Sequence, residues 1–430
     1  MSRHTRRSLL AMTGTALTGT LAGCSDLNLL SGERNVEYDE SSLAAIPGEL
    51  PRVPAATPVQ PTPGHVAAAR ERIRLLLDDA DVSRIPNEVV RQKLDREREA
   101  ARAALTRDDD HETTRVDALA GLTHPRSEAM FVHAGLAAFD EALSAGDVEA
   151  RRDRHHRDAE AFLADYRYVG PPDDVVGALA EHARIVDWGL TGARIAELNR
   201  HHEYENTVLH VAELAQDVEW GRAYAADARR LREGYASTLD DPRNYGNRFS
   251  RVADTLVTDV GAYVEPPEWE ALTSEFERKV ENTAGAELLE ELARSRWSGA
   301  QNAVESHDDA LHALAVVAAM RAITADRAFA AATDVISDGG YGVPESVAPI
   351  AAERTEAVEG LRALLDTSPA PLAHRLARYV RIPLRNADEQ VRRDSVSAPG
   401  RFLYGQYAVA NRFAAAAPAV VRRVGDALEA

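Results

Sequence analysis

Apolar residues recur at helical spacing along most of the chain, and this pattern leaves few folds open. Residues four or seven positions apart return to nearly the same side of a helix, so they form one apolar face. Runs in which Val, Ile or Tyr alternate with polar residues, which would indicate strands, are essentially missing. The spacing is clearest at three sets of positions: Val90, Leu94, Ala101 and Leu105; Val175, Leu179, Ala183, Val186 and Leu190; Val347, Ile350, Val358, Leu361 and Leu365. The sequence therefore predicts an all-α fold.

Proline followed by acidic residues marks several expected helix starts. Proline suits the first turn because its missing N–H would be unpaired there, and acidic side chains favour the positive end of the helix dipole. The expected starts are Pro86-Asn87-Glu88, Pro171-Pro172-Asp173-Asp174, Pro266-Pro267-Glu268 and Pro344-Glu345. Their irregular spacing argues against a repeat array. We expect an irregular antiparallel helical bundle, with a boundary near Pro266 between two sub-bundles, residues 65–264 and 265–430.

The charge of the chain excludes one class of function. Among 430 residues, 50 are basic and 69 acidic, which gives a net charge of −19. Such a surface repels nucleic acid, so we expect no binding to a phosphate backbone. Only Lys93 and Lys279 are lysines, and the acids are spread along the chain. This composition resembles that of proteins from extremely halophilic archaea, whose acidic surfaces stay soluble in salt. The alternative is an acidic face that collects cations or a basic partner.

The first 24 residues have the pattern of an export signal. Arg3, Arg6 and Arg7 precede a weakly apolar stretch, residues 8–21, and Ala-Gly-Cys follows, ending at Cys24. This closely resembles a twin-arginine signal peptide that ends in a lipobox. The resemblance implies that residues 1–23 are removed, that the protein is exported already folded, and that Cys24 carries lipid. The apolar stretch is too short and too polar to be a transmembrane anchor.

Cys24 is the only cysteine, which excludes disulfides within the chain and multi-thiolate metal sites. Residues 24–64 show little periodicity, and six prolines fall in their second half. Such a segment favours an extended polyproline conformation. We therefore expect a disordered tether between the lipid on Cys24 and a helical domain at the extracellular face of the cell membrane. No later stretch predicts a transmembrane helix.

Common catalytic motifs are missing from the sequence. Neither lysine follows a glycine, so there is no phosphate-binding Walker loop, and there is no GxSxG nucleophile motif. No glycine-rich turn follows a predicted strand, so a dinucleotide-binding fold has no support. Enzyme activity is therefore left open but is not favoured, and no cofactor is expected apart from the metal ion considered next.

Histidine and carboxylate side chains at helical spacing form a candidate site for a divalent transition metal. Two sets share a helical face: His202, His210 and Glu213, and Glu305, Asp308 and His312. On facing helices they could bind Zn or Fe, in a loose likeness to a ferritin-like carboxylate site. His210-Val211-Ala212-Glu213 also resembles the His-x-x-Glu fragment of imelysin-like exported helical proteins, although the usual preceding glycine is absent. Ordinary surface pairs at helical spacing are the alternative explanation.

Two further clusters have a structural and a functional interpretation. His155 and His156 lie among four arginines, which predicts a solvated basic face or a surface for an acidic partner or a lipid headgroup. Aromatic residues are enriched near the C-terminus, where core packing is favoured over a ligand groove. These clusters are Arg151, Arg152, Arg154 and Arg157 around the histidines, and Tyr379, Phe402, Tyr404, Tyr407 and Phe413.

Three functions remain compatible with these observations. The first is a non-enzymatic, membrane-anchored surface lipoprotein that binds or scaffolds a component of the cell envelope. The second is a metal-binding helical protein that uses the face of His202. The third is the solute-binding lipoprotein of a transporter, which is disfavoured because such proteins usually have two α/β lobes and the sequence shows no βαβ alternation. We favour the first.

Overall fold

Helices form almost all of the regular structure. The computed structural model describes residues 38–57, 59–106, 114–197, 204–393 and 400–430. Within these ranges the only strands are β1 (Val169–Gly170) and β2 (Arg243–Asn244), which pair antiparallel. The helices are α1 (Glu40–Ala44), α2 (Pro63–Leu77), α3 (Glu88–Thr106), α4 (Arg115–Gly121), α5 (Thr123–Phe139), α6 (Ala145–Ala164), α7 (Val175–Glu197), α8 (Thr207–Ala236), α9 (Gly246–Val260), α10 (Ala271–Ser274), α11 (Ala284–Asp308), α12 (His312–Ser337), α13 (Val347–Leu365), α14 (Ala370–Arg393) and α15 (Gly400–Glu429). The predicted all-α fold is confirmed.

The helices begin at capping residues that the sequence supplies. The Thr62 side chain accepts a hydrogen bond from the backbone of α2, whose first residue is Pro63, and Ser144 forms a capping box at α6. Helices follow the expected starts near Pro86, Pro171 and Pro344 within a few residues. The expected start at Pro266 is wrong, because only the single turn of α10 forms before α11. The chain continues there as an irregular segment, whereas α7 begins three residues after Pro171-Pro172, so a pair of prolines does not by itself decide whether a helix follows.

Two large apolar clusters meet at α7. The first contains residues of α9 and of α11–α15, and the second contains residues of α2–α5 and α8. Helix α7 contributes Leu179 and Val186 to the first cluster and Ile185 and Trp188 to the second. A helix shared in this way buries nearly all of its sides rather than one stripe. The two groups of helices are thus joined through α7, and residues 38–430 form one compact unit.

The predicted tether differs from the structure in its second half. Residues 38–62, which we call the strap, lie against the helical domain; Pro58 is outside the described residues. Leu43 is 2% exposed and Ile46 8% exposed, and both belong to the first apolar cluster. Proline does not prevent burial. Leu43 and Ile46 precede the first proline of the strap, and Leu50 and Val53, which lie between later prolines, pack against the same cluster.

Hydrogen bonds attach the strap to distant parts of the chain. The Tyr38 hydroxyl donates to the carbonyl of Pro344 at 2.5 Å, and Arg354 donates to the carbonyl of Gly48 at 3.0 Å. Further along, the Val59 N–H donates to the Glu181 carboxylate on α7 at 3.2 Å. The strap therefore contacts both groups of helices.

The export signal lies outside the described residues. Arg6, Arg7 and Cys24 fall in residues 1–37, so the signal, the lipid attachment and the first part of the tether stay predictions. Within the described ranges, no helix is both long enough and apolar enough for a bilayer crossing.

Candidate binding cleft

The irregular segment between α9 and α11 forms one wall of a cleft of about 860 Å³. Helices α11 and α12 form the opposite wall. The apolar part of the lining is Leu272, Phe276 and Phe329, and hydroxyl groups come from Thr333 and Ser337. Both charge signs occur in the lining, from Glu268, Glu275, Glu277, Arg278 and Arg296. The cleft is an open groove with mixed apolar and polar walls, and its volume is within the range of small-ligand sites.

Both ends of the irregular segment are held by residues of the core. The Trp297 indole N–H donates to the carbonyl of Val264 at 3.2 Å, and the Trp297 ring lies edge-on to Trp269 with 6.5 Å between centroids. At the other end, Val280 is 2% exposed. The lining residues that this segment contributes lie between these fixed points. The wall that they form is therefore held in position although it is not part of a long helix.

Arg296 is the most constrained charged group in the cleft. Its guanidinium carbon lies 4.4 Å from the centroid of the Tyr263 ring and 4.5 Å from that of Phe329. Its Nη1 donates to Asp326 at 3.1 Å. Cation–π contact with two rings holds the guanidinium group, and the described contacts use only one of the five N–H donors that an arginine carries. Arg296 is therefore a preformed donor group for a carboxylate or another anionic part of a ligand.

The predicted metal site receives no geometric support from the described residues. His202 lies outside them, so the part of the prediction that depends on it stays a prediction. His210 and Glu213 are on α8, which packs on α5, α6 and α7, whereas α11 packs on α9, α12 and α15. Glu305 pairs with Arg194 at 3.2 Å, and in the described part of the chain no group of three or more His, Cys, Asp or Glu side chains could hold a metal ion.

Asp308 and His312 lie close to the turn between α11 and α12. The His312 ring is 6.0 Å from Tyr168 and 6.2 Å from His307, centroid to centroid. Burial lowers the pKa of His312, and the neighbouring His307 lowers it further. The geometry is that of aromatic packing at a helix turn.

The aromatic cluster follows its structural interpretation, and the basic face is exposed, as both of its interpretations predict. Arg151, Arg154 and Arg157 are exposed on α6. His155 has its pKa lowered by burial and then by Arg222 on α8. At the other cluster, Tyr407 and Phe413 are buried in the first apolar cluster, and Tyr379, Phe402 and Tyr404 pack against it. Core packing therefore accounts for the enrichment in aromatic residues near the C-terminus.

Buried ion clusters are the polar feature that the sequence did not reveal. Asp227 has no exposed surface. It accepts hydrogen bonds from Nη1 and Nη2 of Arg126, and its Oδ1 lies 2.9 Å from the Nε2 of His65. Asp388, also fully buried, accepts from Arg354 and from the Tyr407 hydroxyl, each at 2.8 Å. Arg126 and Asp227 are 101 positions apart, so helical spacing within one element carries no signal for such pairs.

One buried histidine has a strongly shifted pKa without being placed for catalysis. His182 is 1% exposed; its Nε2 lies 2.7 Å from the carbonyl of Val169 and its Nδ1 2.8 Å from the Tyr166 hydroxyl. Burial lowers its pKa to about 4. Since a carbonyl only accepts, Nε2 carries the proton and Nδ1 accepts from Tyr166. Both nitrogens are satisfied within the core, which assigns His182 a structural role.

Comparison with known proteins divides the chain between α8 and α9. Residues 64–241 match the family model of a domain of unknown function, DUF8262. Residues 246–426 match a second domain of unknown function, DUF8264. No curated protein and no solved structure matches the chain. The first range contains α2 to α8 and the second begins with α9, whereas the sequence boundary was expected at residues 264 and 265. That boundary stays a prediction.

Proposed function

We propose that the protein is a lipid-anchored binding protein at the extracellular face of the cell membrane, without catalytic activity of its own. The single cysteine at the end of the twin-arginine-like signal carries the localisation part of the proposal. The cleft with the clamped Arg296 carries the binding part. A site that offers guanidinium and carboxylate groups together favours a ligand with charges of both signs. An amino acid, a short peptide or an extended segment of an envelope protein has that chemistry.

The localisation part is tested by substitution of Cys24. In the Cys24→Ser variant, the protein is expected to leave the membrane fraction and to appear in the medium, because one lipid-bearing residue provides the attachment. Mass spectrometry of the N-terminal peptide of the native protein is expected to show lipid on Cys24. An unmodified N-terminus that begins at Met1, with the protein inside the cell, would exclude this part of the proposal.

The binding part is tested at Arg296. A panel of amino acids and short peptides of defined charge is added to the purified protein, and the Tm is measured. Ligands with both an amine and a carboxylate are expected to raise the Tm of the native protein and not that of Arg296→Gln. Arg327→Gln is the control, since Arg327 is exposed on α12 and does not line the cleft. An equal response in the two variants would contradict a role for Arg296.

A solute-binding role for a transporter is the nearest alternative. The expected architecture for that role has two α/β lobes, and the fold described above is all-α. The proposal therefore keeps binding as the function and does not assign a transporter.

A further inference from the structure

Three arginines converge where α7 crosses α14, beneath the strap. Arg375 on α14 donates from Nη2 to the carbonyl of Ala180 at 3.4 Å, one helical turn before Arg184 on α7. Arg378 follows Arg375 by one turn and donates to Asp117 of α4 at 3.2 Å. Arg184 is 8% exposed. On a protein with a large excess of acidic residues, one buried arginine beside two partly buried ones needs a physical explanation.

Several donors at this crossing have no partner in the described part of the chain. The Nε groups of Arg184 and Arg375 are buried and form no hydrogen bond there, and neither does the hydroxyl of Thr57. Thr57 is on the strap, 4% exposed and two residues before Val59, whose N–H bonds to Glu181 on α7. An unsatisfied buried donor is costly, and a buried charge without compensation more so.

The nearby carboxylates compensate the arginines only in part. Asp117 is paired with Arg378, which leaves Asp187 and Glu181 close to Arg184 and Arg375. Burial raises the pKa of Glu181 to about 7, so this group carries a full negative charge only in alkaline solution. Burial, followed by the charges of Arg375 and Arg378, lowers the pKa of Arg184 to about 10. Glu181 is thus only partly ionised at neutral pH, and within the described residues neither Nε group has a carboxylate partner.

We propose that Arg184 and Arg375 bind a small inorganic anion of the halide class at the crossing of α7 and α14. Such an anion accepts from the two unpartnered Nε groups and from the Thr57 hydroxyl, and charge-assisted bonds of this kind are stronger than neutral ones. Helix α7 contacts both helix α14 and the strap at this point, and the burial of the donor atoms favours a compact anion over an organic carboxylate. The bound anion also links the strap to both helices, so it belongs to the folded structure and is separate from the cleft.

Anomalous diffraction from crystals grown in sodium bromide tests the site directly. A bromide peak is expected within hydrogen-bonding distance of the Nε groups of Arg184 and Arg375. Water molecules in that position, or an empty map, would overturn the proposal. Since this experiment uses the native protein, it does not depend on whether a variant folds.

Stability measurements distinguish specific halide binding at this site from incidental binding. At constant ionic strength, replacement of gluconate by bromide is expected to raise the Tm of the native protein, with a further rise at each tenfold increase in concentration. Arg184→Gln is expected to lose this response. Arg385→Gln, an exposed position on the same α14, is expected to keep it. A bromide peak without a halide-dependent Tm in the native protein is an adventitious ion only and refutes the proposal.

Discussion

Replacement of Glu181 by Gln should remove a specific pH dependence of stability. The carboxyl is 1% exposed and accepts one hydrogen bond from the Val59 N–H. Burial raises its pKa from 4.5 to about 7, and this effect exceeds the opposing effects of the Val59 N–H, Arg184 and Arg375. Glutamine has nearly the same shape, can accept the same bond and does not titrate.

The sign and size of the effect follow from the two pKa values. A carboxyl whose pKa is higher in the folded state stabilises the fold at low pH, where it is protonated. This contribution is complete below about pH 4.5, decreases as the pH rises, and is gone above about pH 7. At about 1.4 kcal/mol per pKa unit, the change in the free energy of unfolding amounts to about 3 kcal/mol. For a domain of this size, about 3 kcal/mol corresponds to a Tm difference of about 4 °C.

Denaturant unfolding of the native protein and of Glu181→Gln from pH 4.5 to pH 8, at fixed halide concentration, measures the effect. The difference between the two free energies of unfolding isolates Glu181, because the other titrating groups are common to both proteins. The native protein is expected to lose about 3 kcal/mol relative to the variant over this range. A difference that does not change with pH would mean that Glu181 is ionised in the folded protein throughout, and it would refute the argument from burial.

Three further substitutions and one control test the packing and the buried charges. Asp227→Asn leaves the Arg126 charge buried without its carboxylate and is expected to cost about 3–5 kcal/mol in denaturant unfolding. Gly192→Ala places a Cβ 2.8 Å from a backbone atom of Ala225, so a loss of about 1–3 kcal/mol is expected despite better helix propensity. Gly234→Ala, where a Cβ meets nothing within 4 Å, is the control and should gain up to about 1 kcal/mol. Leu43→Ala on the strap should cost about 2–5 kcal/mol, and a smaller loss would mean that the strap contributes little to the core.

Helical periodicity predicted the class of the fold because it reflects local geometry. Val90, Leu94 and Ala101 are buried on α3 as the spacing indicates. On α7 the spacing identified one face, whereas the structure buries most of the helix, including Glu181 and His182. A stripe of apolar residues shows that a face is buried, but it cannot show that a second layer covers the opposite face.

Sequence patterns did not predict which polar side chains are buried. Arg126 and Asp227 have the composition of surface residues, and only the packing of α5 against α8 brings them together. The strap was predicted to be part of a disordered tether for the same reason. Its proline content is visible in the local sequence, whereas its partners Pro344 and Arg354 are hundreds of residues away. The cleft depends on the irregular segment that follows Pro266-Pro267, where the expected helix start was wrong.

The strap joins residues that leave the ribosome early to residues that leave it late. Tyr38 bonds to Pro344, and Gly48 to Arg354, across 306 positions in each case. Before the C-terminal helices have been synthesised, these contacts cannot form, and the apolar side chains of Leu43 and Ile46 remain exposed to solvent. The strap can therefore dock only after the segment that contains Pro344 and Arg354 has been synthesised, and a docked strap marks a chain in which that segment has folded.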